Sequence, residues 1–216
     1  MHFEILFASG NKHKVDEVRK ILAPHGITVY GLKDLSLDIE DVEENGTTYK
    51  ENALIKARAA QKVSNIPLFA DDSGLEVTAL GNIPGIHSAR FAEEKGGHHN
   101  AMNEILEGLK NKEDRSARFV CDIVLLNVED RPLYFSSVVE GTIAHHMEGT
   151  NGFGYDPIFI CDELGKSYAL LSEEEKNTVS HRAKSLKKML TYLKINGLIR
   201  PGKAKPHSHE HDHDHD

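Results

Sequence analysis

No apolar run in the chain approaches the ~18 residues that a membrane-spanning helix needs. Met1-His2-Phe3-Glu4 has neither the basic start nor the long apolar centre of a secretory signal. Cysteine is scarce: the 2 present, Cys121 and Cys161, have no metal-type spacing and make no disulfide framework. They read as reduced core thiols of a cytoplasmic protein. Positive charge is also short, with 26 Lys and Arg against 34 Asp and Glu and a formal net charge of −8. A nucleic-acid backbone would need clustered cations, so neither nucleic acid nor membrane is expected as a partner. There is no Walker A loop, no dinucleotide fingerprint, and no Ser or Cys nucleophile with a paired base. These absences predict a soluble, intracellular protein.

What is present suffices for a core. The hydrophobic share is 39% over 216 residues, a length that suits one large domain or two intimate lobes. Phe3 to Ala8 reads as a first strand, and Val15, Val18, Ile21 and Leu22 recur at helical spacing between Lys12 and Ala23, with Asn11 as N-cap. Ile27 to Gly31 reads as a second strand and Ser36 to Asn45 as an acidic loop. Thr48-x-x-Glu51 is a capping-box pattern that opens a helix through Val63. Asn100 to Lys110 is a further helix, and Ala117 to Val128 and Leu133 to Ile143 form a long hairpin. Ser172 caps a short turn and Ser180 a helix from His181 to Ile195, while Glu93-Glu94 and Glu173 to Glu175 read as solvated charges. Strands mixed with helices, plus one hairpin, indicate an α/β fold with a mixed sheet.

Residues 1–198 are expected to form the folded domain and residues 199–216 a tail. From Lys203 the tail is of low complexity, ends in alternating His and acid, and cannot bury a core. It is expected to be disordered. Its histidines, flanked by carboxylates, could bind nickel, zinc or copper; an engineered handle or a solubilising tail is the competing account.

Two local patterns carry chemistry. Asp71-Asp72 sits between the apolar run Ile66 to Ala70 and a Ser73-Gly74 pair that reads as a turn. A buried strand ending there would deliver carboxylates to the rim of a sheet, placed to hold a hard cation or to activate water. By itself an Asp-Asp pair is equally an acidic surface turn. The Ser9-Gly10-Asn11-Lys12-His13-Lys14 loop hands a strand over to a helix, where free N–H groups and the helix dipole suit phosphate. It too reads alone as an ordinary strand–helix connection. After Leu75 to Leu80, a Gly/Pro loop that opens at Gly81 is expected to reach Phe91, and in it His87 reads as structural or as an interface residue.

Ser9-x-Asn11-x-x-Lys14, Glu51-Asn52-Ala53, Asp71-Asp72-Ser73-Gly74-Leu75, Pro84-Gly85-x-x-Ser88-Ala89-Arg90, Phe153-Gly154-Tyr155-Asp156-Pro157 and Ser180-His181-Arg182 occur in that order. This set resembles the inosine triphosphate pyrophosphatase family, also called XTP/dITP diphosphatases, over residues 4 to 195. The resemblance implies an elongated mixed sheet with two lobes flanking a nucleotide-binding cleft, a homodimer, and magnesium-assisted hydrolysis. The implied substrates are the purine nucleoside triphosphates ITP, dITP and XTP, cleaved to monophosphate and pyrophosphate. It places the triphosphate on Ser9 to Lys14 with Lys56 nearby, makes Asp72 the general base or metal ligand, and makes Ser73 a substrate contact. A metal-binding acid falls at Glu43 or Glu44, between which the sequence does not choose. The base falls between Phe153, Gly154, Tyr155 and Asp156 on one side and Lys176, His181 and Arg182 on the other.

The chemistry agrees with that assignment. Cleavage of a triphosphate between the α and β phosphorus needs cations and aligned water more than a covalent intermediate. Arg182 has donors and no acceptor, so it donates to the 6-carbonyl of hypoxanthine or xanthine and leaves the 6-amino group of adenine unpaired. Asp71 faces the other way along the strand and is expected to matter less than Asp72 unless it holds the loop. The glycines beside Phe153 and Tyr155 suggest a backbone shaped to admit a flat ring. The rival readings are a house-cleaning pyrophosphatase for pyrimidine or modified nucleotides, and a nucleotide-sensing or metal-handling protein that works through its tail.

Overall fold

The computed structural model describes residues 2–39 and 42–201. Most of the tail, with its expected disorder and transition-metal binding, lies outside the described residues. The elements run β1 (Phe3–Phe7), α1 (Lys12–Leu22), β2 (Ile27–Tyr30), α2 (Tyr49–Gln61), β3 (Leu68–Val77) and β4 (Ile83–Pro84). After them come α3 (Ser88–Glu94), α4 (His98–Gly108), β5 (Ser116–Leu126) and β6 (Leu133–Ile143). The chain closes with β7 (Phe159–Cys161), β8 (Lys166–Ser167), α5 (Glu173–Val179) and α6 (His181–Ile195). One mixed sheet holds the strands in the order β2-β1-β3-β5-β6-β7-β8, with β4 alongside β3. The expected α/β class and mixed sheet are what the chain forms, and among the described residues no helix is long and apolar enough to cross a membrane.

Local chemistry explains where the helices start. Asn11, Ser172 and Ser180 each accept a backbone N–H at an N-cap, and Glu175 completes a capping box on Ser172. Thr48 caps α2 through the N–H of Glu51, but the Glu51 carboxylate takes the Thr47 N–H at 2.7 Å, so the expected reciprocal box is displaced by one residue. Glu173, expected to be merely solvated, pairs with Lys20 of α1 at 2.8 Å.

The apolar faces form three packed regions. On one face of the sheet, Val15, Val18 and Leu22 of α1 and Leu186, Met189 and Leu190 of α6 cover Phe7 and Phe69. Ile199 seats in the same core, so packing includes the first residue assigned above to the tail. On the other face, Ala53, Ala57 and Ala60 bring α2 close to Leu68, Ala70 and Val124. The third region joins Leu75, Phe119, Phe159 and Tyr168 to Met102 and Ile105 of α4.

The decisive feature is strand length. β1 pairs with β3 only as far as Phe7↔Phe69, and β4 begins to pair with it at Glu76↔Pro84. Between these limits one edge of β3 has no strand beside it, while the other edge pairs with β5 throughout, from Leu68↔Leu126 to Val77↔Ala117. Asp71, Asp72 and Ser73 lie in this notch.

This corrects the expected turn at Ser73-Gly74, because both residues lie inside a continuous strand. Gly74 is required by a close approach: a Cβ there would stand 2.2 Å from the Gly85 carbonyl oxygen. Tertiary packing overrides the local turn signal. The loop expected to reach Phe91 ends earlier as well, since Ser88, Ala89 and Arg90 open α3. Ser88 Oγ fastens the crossing by donating to Gly85 O at 2.6 Å and accepting from Leu75 N at 3.0 Å.

Gly74→Ala is therefore expected to destabilise the fold by about 1–3 kcal/mol, the cost of overpacking at a backbone contact. Urea unfolding monitored by circular dichroism measures it. An unchanged midpoint would mean that the Gly85 segment is not held against β3.

Candidate active site

The notch is lined from both sides by charge. On one wall, β1 ends and Ser9 Oγ accepts the N–H of Asn11 at 3.1 Å, while Asn11 Oδ1 accepts the N–H of Lys14 at 3.3 Å. The loop is thus wound around its own side chains at the start of an 11-residue helix. On the opposite wall stand Ile86, His87, Ala89 and Arg90. A cavity of about 410 Å³ lies between them, floored by Asp71, Asp72 and Ser73, with Glu44 and Lys56 at its side.

Pleating sends the two aspartates to opposite faces of β3. Asp71 Oδ1 pairs with Lys14 Nζ at 3.4 Å and its Oδ2 accepts Arg182 Nε at 3.1 Å. Burial opposes ionisation, but Lys14, Arg182 and Lys56 outweigh it and hold the Asp71 carboxyl well below the usual range. Asp71 is thus the exception allowed for above: it holds the Ser9–Lys14 loop, tying it to α6. Asp72 Oδ1 lies 3.6 Å from Lys56 Nζ, and that ammonium also contacts Glu44 Oε1 at 2.8 Å. Asp72 Oδ2 is buried without a partner. Burial pushes the Asp72 pKa up to about 6; Lys56 and Lys14 resist the rise, while Glu44 and Asp71 add to it.

A second cavity of about 140 Å³ opens off the first, with Phe119, Phe153, Tyr155, Lys176, His181 and Arg182 in its lining. Arg182 is 2% exposed, and besides Asp71 it reaches Glu17 Oε1 at 3.2 Å and Ser73 Oγ at 3.0 Å. Lys176 Nζ bridges Asp156 Oδ2 at 2.7 Å and Glu17 Oε2 at 3.3 Å, and lies 4.5 Å over the Phe153 ring. Tyr155 is anchored by its hydroxyl, which donates to Ser88 O at 2.5 Å. Gly152 makes room for a carboxylate and not for a flat ring, because a Cβ there would meet Asp156 Oδ2 at 2.2 Å. Gly154, at φ +65, lies open with only His98 near.

Most of the residues marked by the sequence converge here, and a few stand aside. Lys12 is exposed on the first turn of α1 and lines neither cavity, and His13 stacks on Phe153 at 5.5 Å. Of the two candidate metal acids, Glu44 faces the cleft, while Glu43 lines a separate hollow with Leu54, Arg58 and Lys62. Among the described residues no cluster of three or more His, Cys, Asp or Glu is placed to hold a metal. Glu17 was not foreseen. Its only sequence signal is an acid one turn after Lys14 on the buried side of α1, beside Val18.

His181 is 4% exposed and stacks on Phe119 at 4.4 Å, with Nδ1 unpartnered. Burial, reinforced by Arg182 and Lys176, sets its pKa well below 6.5, so the folded protein holds it neutral. The unfolded chain takes up a proton below about pH 6.5 and the folded chain does not, so this group destabilises the fold as pH falls from there. Asp72 works in the opposite sense, since its raised pKa lets the folded state take the proton first. A comparison with His181→Phe isolates the histidine. Relative to that variant, the wild type should lose up to about 1.4 kcal/mol per pH unit on acidification from pH 6.5. Parallel stability curves in urea melts from pH 7 to 5 would contradict a buried neutral imidazole.

Comparison with known proteins identifies the family. The Ham1 family model matches residues 5–192. A dITP/XTP pyrophosphatase of Treponema denticola is 43% identical over 194 residues, covering 88% of this chain and 98% of that protein. One from Yersinia pseudotuberculosis is 44% identical over 195 residues, with the same coverage of each. The solved Ham1 protein of Staphylococcus aureus superposes with a TM-score of 0.78 at 41% identity, covering 89% of this chain and 99% of that one. The HAM1 protein of Coxiella burnetii gives 0.79 at 39% identity with the same coverage. The chain belongs to the Ham1 family.

Proposed function

We propose that this protein hydrolyses the deaminated purine triphosphates dITP, XTP and ITP to the nucleoside monophosphate and pyrophosphate, removing them from the nucleotide pool. The observation that carries the reading is the unpartnered Asp72 Oδ2 in a cleft that leads directly to a donor-lined aromatic pocket. In this reading the triphosphate lies along Ser9 to Lys14 with Lys56 beside it, and the base enters between Phe153 and the α6 start. The oxygen of a water bonds to the α-phosphorus, and the bond from that phosphorus to the α–β bridging oxygen breaks. The electron pair of that bond leaves with pyrophosphate. Asp72 Oδ2 orients the water and accepts its proton.

Magnesium is part of the proposal. Two carboxylates with a free buried oxygen fit a cation that binds through one or two acids plus phosphates and waters. Glu44 and Asp72 would hold it, and when bound it would neutralise phosphate charge and make the attacking water more acidic. Lys56, which sits between these acids, supplies the phosphate-side cation.

Base choice follows from Arg182. Its guanidinium carries five N–H donors, of which Asp71, Glu17 and Ser73 engage three, so donors remain for a 6-carbonyl. Adenine offers an amino donor there instead. One such mismatch is worth about 1–3 kcal/mol, or roughly 5- to 150-fold. The reading also takes the protein as a cytoplasmic homodimer, in keeping with free thiols at Cys121 and Cys161. Transition-metal binding by the His-rich tail is a separate property, independent of catalysis.

With magnesium, ITP should yield pyrophosphate, and ATP and GTP should be much poorer substrates. Asp72→Asn should lower turnover about 100- to 10,000-fold with the melting temperature nearly unchanged. Release of single phosphates by the wild type, or more than a tenth of turnover in the variant, would overturn the assignment. Arg182→Ala should compress the ITP to ATP ratio of kcat/KM, whereas Lys14→Ala should weaken all triphosphates alike. An unchanged ratio in the Arg182 variant would remove it from base recognition.

A further inference from the structure

The cleft cavity is lined by three cations, and two of them are already engaged. Lys14 pairs with Asp71, and Lys56 with Glu44 and Asp72. Arg90, on the opposite wall, has no carboxylate within 4.0 Å among the described residues. Counted together, the three cations face the three carboxylates Glu44, Asp71 and Asp72, so the lining is neutral with Arg90 and net negative without it, and Arg90 is the cation of this set left free to meet a polyanion. Position narrows what Arg90 can meet. Asn11, Lys14, Ser73 and Ala89 line both cavities and mark the passage between them, while Arg90 lines the cleft alone. It is exposed on α3, one residue beyond Ala89, and a guanidinium there is free to fork onto phosphate oxygens.

We propose that Arg90 is a further substrate-binding residue, which grips the pyrophosphate half of the triphosphate from the wall opposite the Ser9–Lys14 loop and offsets charge on the departing pyrophosphate. This rests on the reaction proposed above. Asp72 and Lys56 serve the α-phosphate, where the bond breaks. Negative charge grows on the leaving group as it breaks, and a cation held on the far wall interacts more strongly with it then than in the ground state. The Pro84-Gly85-x-x-Ser88-Ala89-Arg90 segment acquires a purpose by this account: the Gly74–Gly85 contact and the Ser88 hydrogen bonds fix the start of α3 and so aim Arg90.

The test compares wild type, Arg90→Ala and Arg90→Lys in steady-state hydrolysis of ITP and ATP with magnesium, with inorganic pyrophosphate and IMP as product inhibitors. Arg90→Ala should lower kcat/KM about 10- to 100-fold for both nucleotides, with their ratio unchanged. Its inhibition constant for pyrophosphate should rise by a similar factor and that for IMP by less than twofold. Arg90→Lys should recover part of the loss, because charge returns without the bidentate fork. Thermal unfolding should match the wild type in both variants. The proposal is overturned by a loss under threefold, by a loss confined to one base, or by equal weakening of IMP and pyrophosphate. A fall in melting temperature that accounts for the lost activity would also overturn it. Should the wild type release no pyrophosphate from ITP, the proposed reaction fails first, and binding of pyrophosphate to wild type and Arg90→Ala by calorimetry still tests the residue.

Discussion

The carboxylate of Asp71 joins three elements that are far apart in sequence: the helix that follows the Ser9–Asn11 loop, the central strand, and α6. Lys14 and Arg182 both reach it, Arg182 continues to Glu17, and Glu17 continues through Lys176 to Asp156. Three carboxylates and three cations are thereby buried as one neutral set. Neutrality makes such burial tolerable, since an isolated charge in the interior costs several kcal/mol. Apolar side chains of similar volume could fill the same space at least as stably. The network therefore has its value in position: it fixes the Arg182 guanidinium and the Lys176 ammonium at the mouth of an aromatic pocket before any ligand arrives, and leaves Arg182 donors free. Removing one member would leave a charge of opposite sign stranded, so the network responds as a unit.

The unequal strand lengths give this network an opening to work on. Were β1 as long as β3, its backbone would cover the edge where Asp71 and Asp72 now lie beside the cleft. Instead β1 stops at Phe7, the chain turns away through Ser9 to Asn11, and the first turn of α1 aims its N–H groups over the gap. The Pro84-Gly85 segment closes the far end by pressing against Gly74. A nucleotide site at the carboxyl end of a parallel strand, where sheet order is interrupted, is the general arrangement of open α/β sheets.

What the sequence made legible follows from range. Periodicity and capping residues act within a few positions, so α1, α2, α6 and the β5–β6 hairpin could be read with only small shifts at their ends. The Ser73-Gly74 pair misled because its turn chemistry is local, whereas the reason for Gly74 is a carbonyl at Gly85, on the other side of β4. Ser88 misled likewise: its hydroxyl binds backbone on two segments and starts a helix where Gly and Pro suggested a loop. Glu17 was invisible because an acid on an amphipathic helix is ordinarily solvated, and only the arrival of α5 and α6 supplies its partners. Between Glu43 and Glu44 the sequence had no preference. The loop backbone decides, sending Glu44 to Lys56 and Glu43 to another hollow.

Two identical side chains at adjacent positions have their pKa values shifted in opposite directions, and the pleat is the cause. Asp71 projects among Lys14 and Arg182 and is held ionised far below its ordinary range. Asp72 lines the cleft, where one lysine is shared with Glu44, and burial raises its pKa to about 6. A group so poised, with one oxygen unpartnered, can take up and release a proton near neutral pH; a group held like Asp71 cannot and serves as a fixed anion. A fixed anion beside a carboxylate that titrates near pH 6 thus needs no difference in residue type. It needs only that consecutive residues of a strand face opposite ways, with cations concentrated on one side and burial dominant on the other. Moving a positive charge from the α6 side to the α2 side would raise the pKa of Asp71 and lower that of Asp72 with Asp71-Asp72 unaltered.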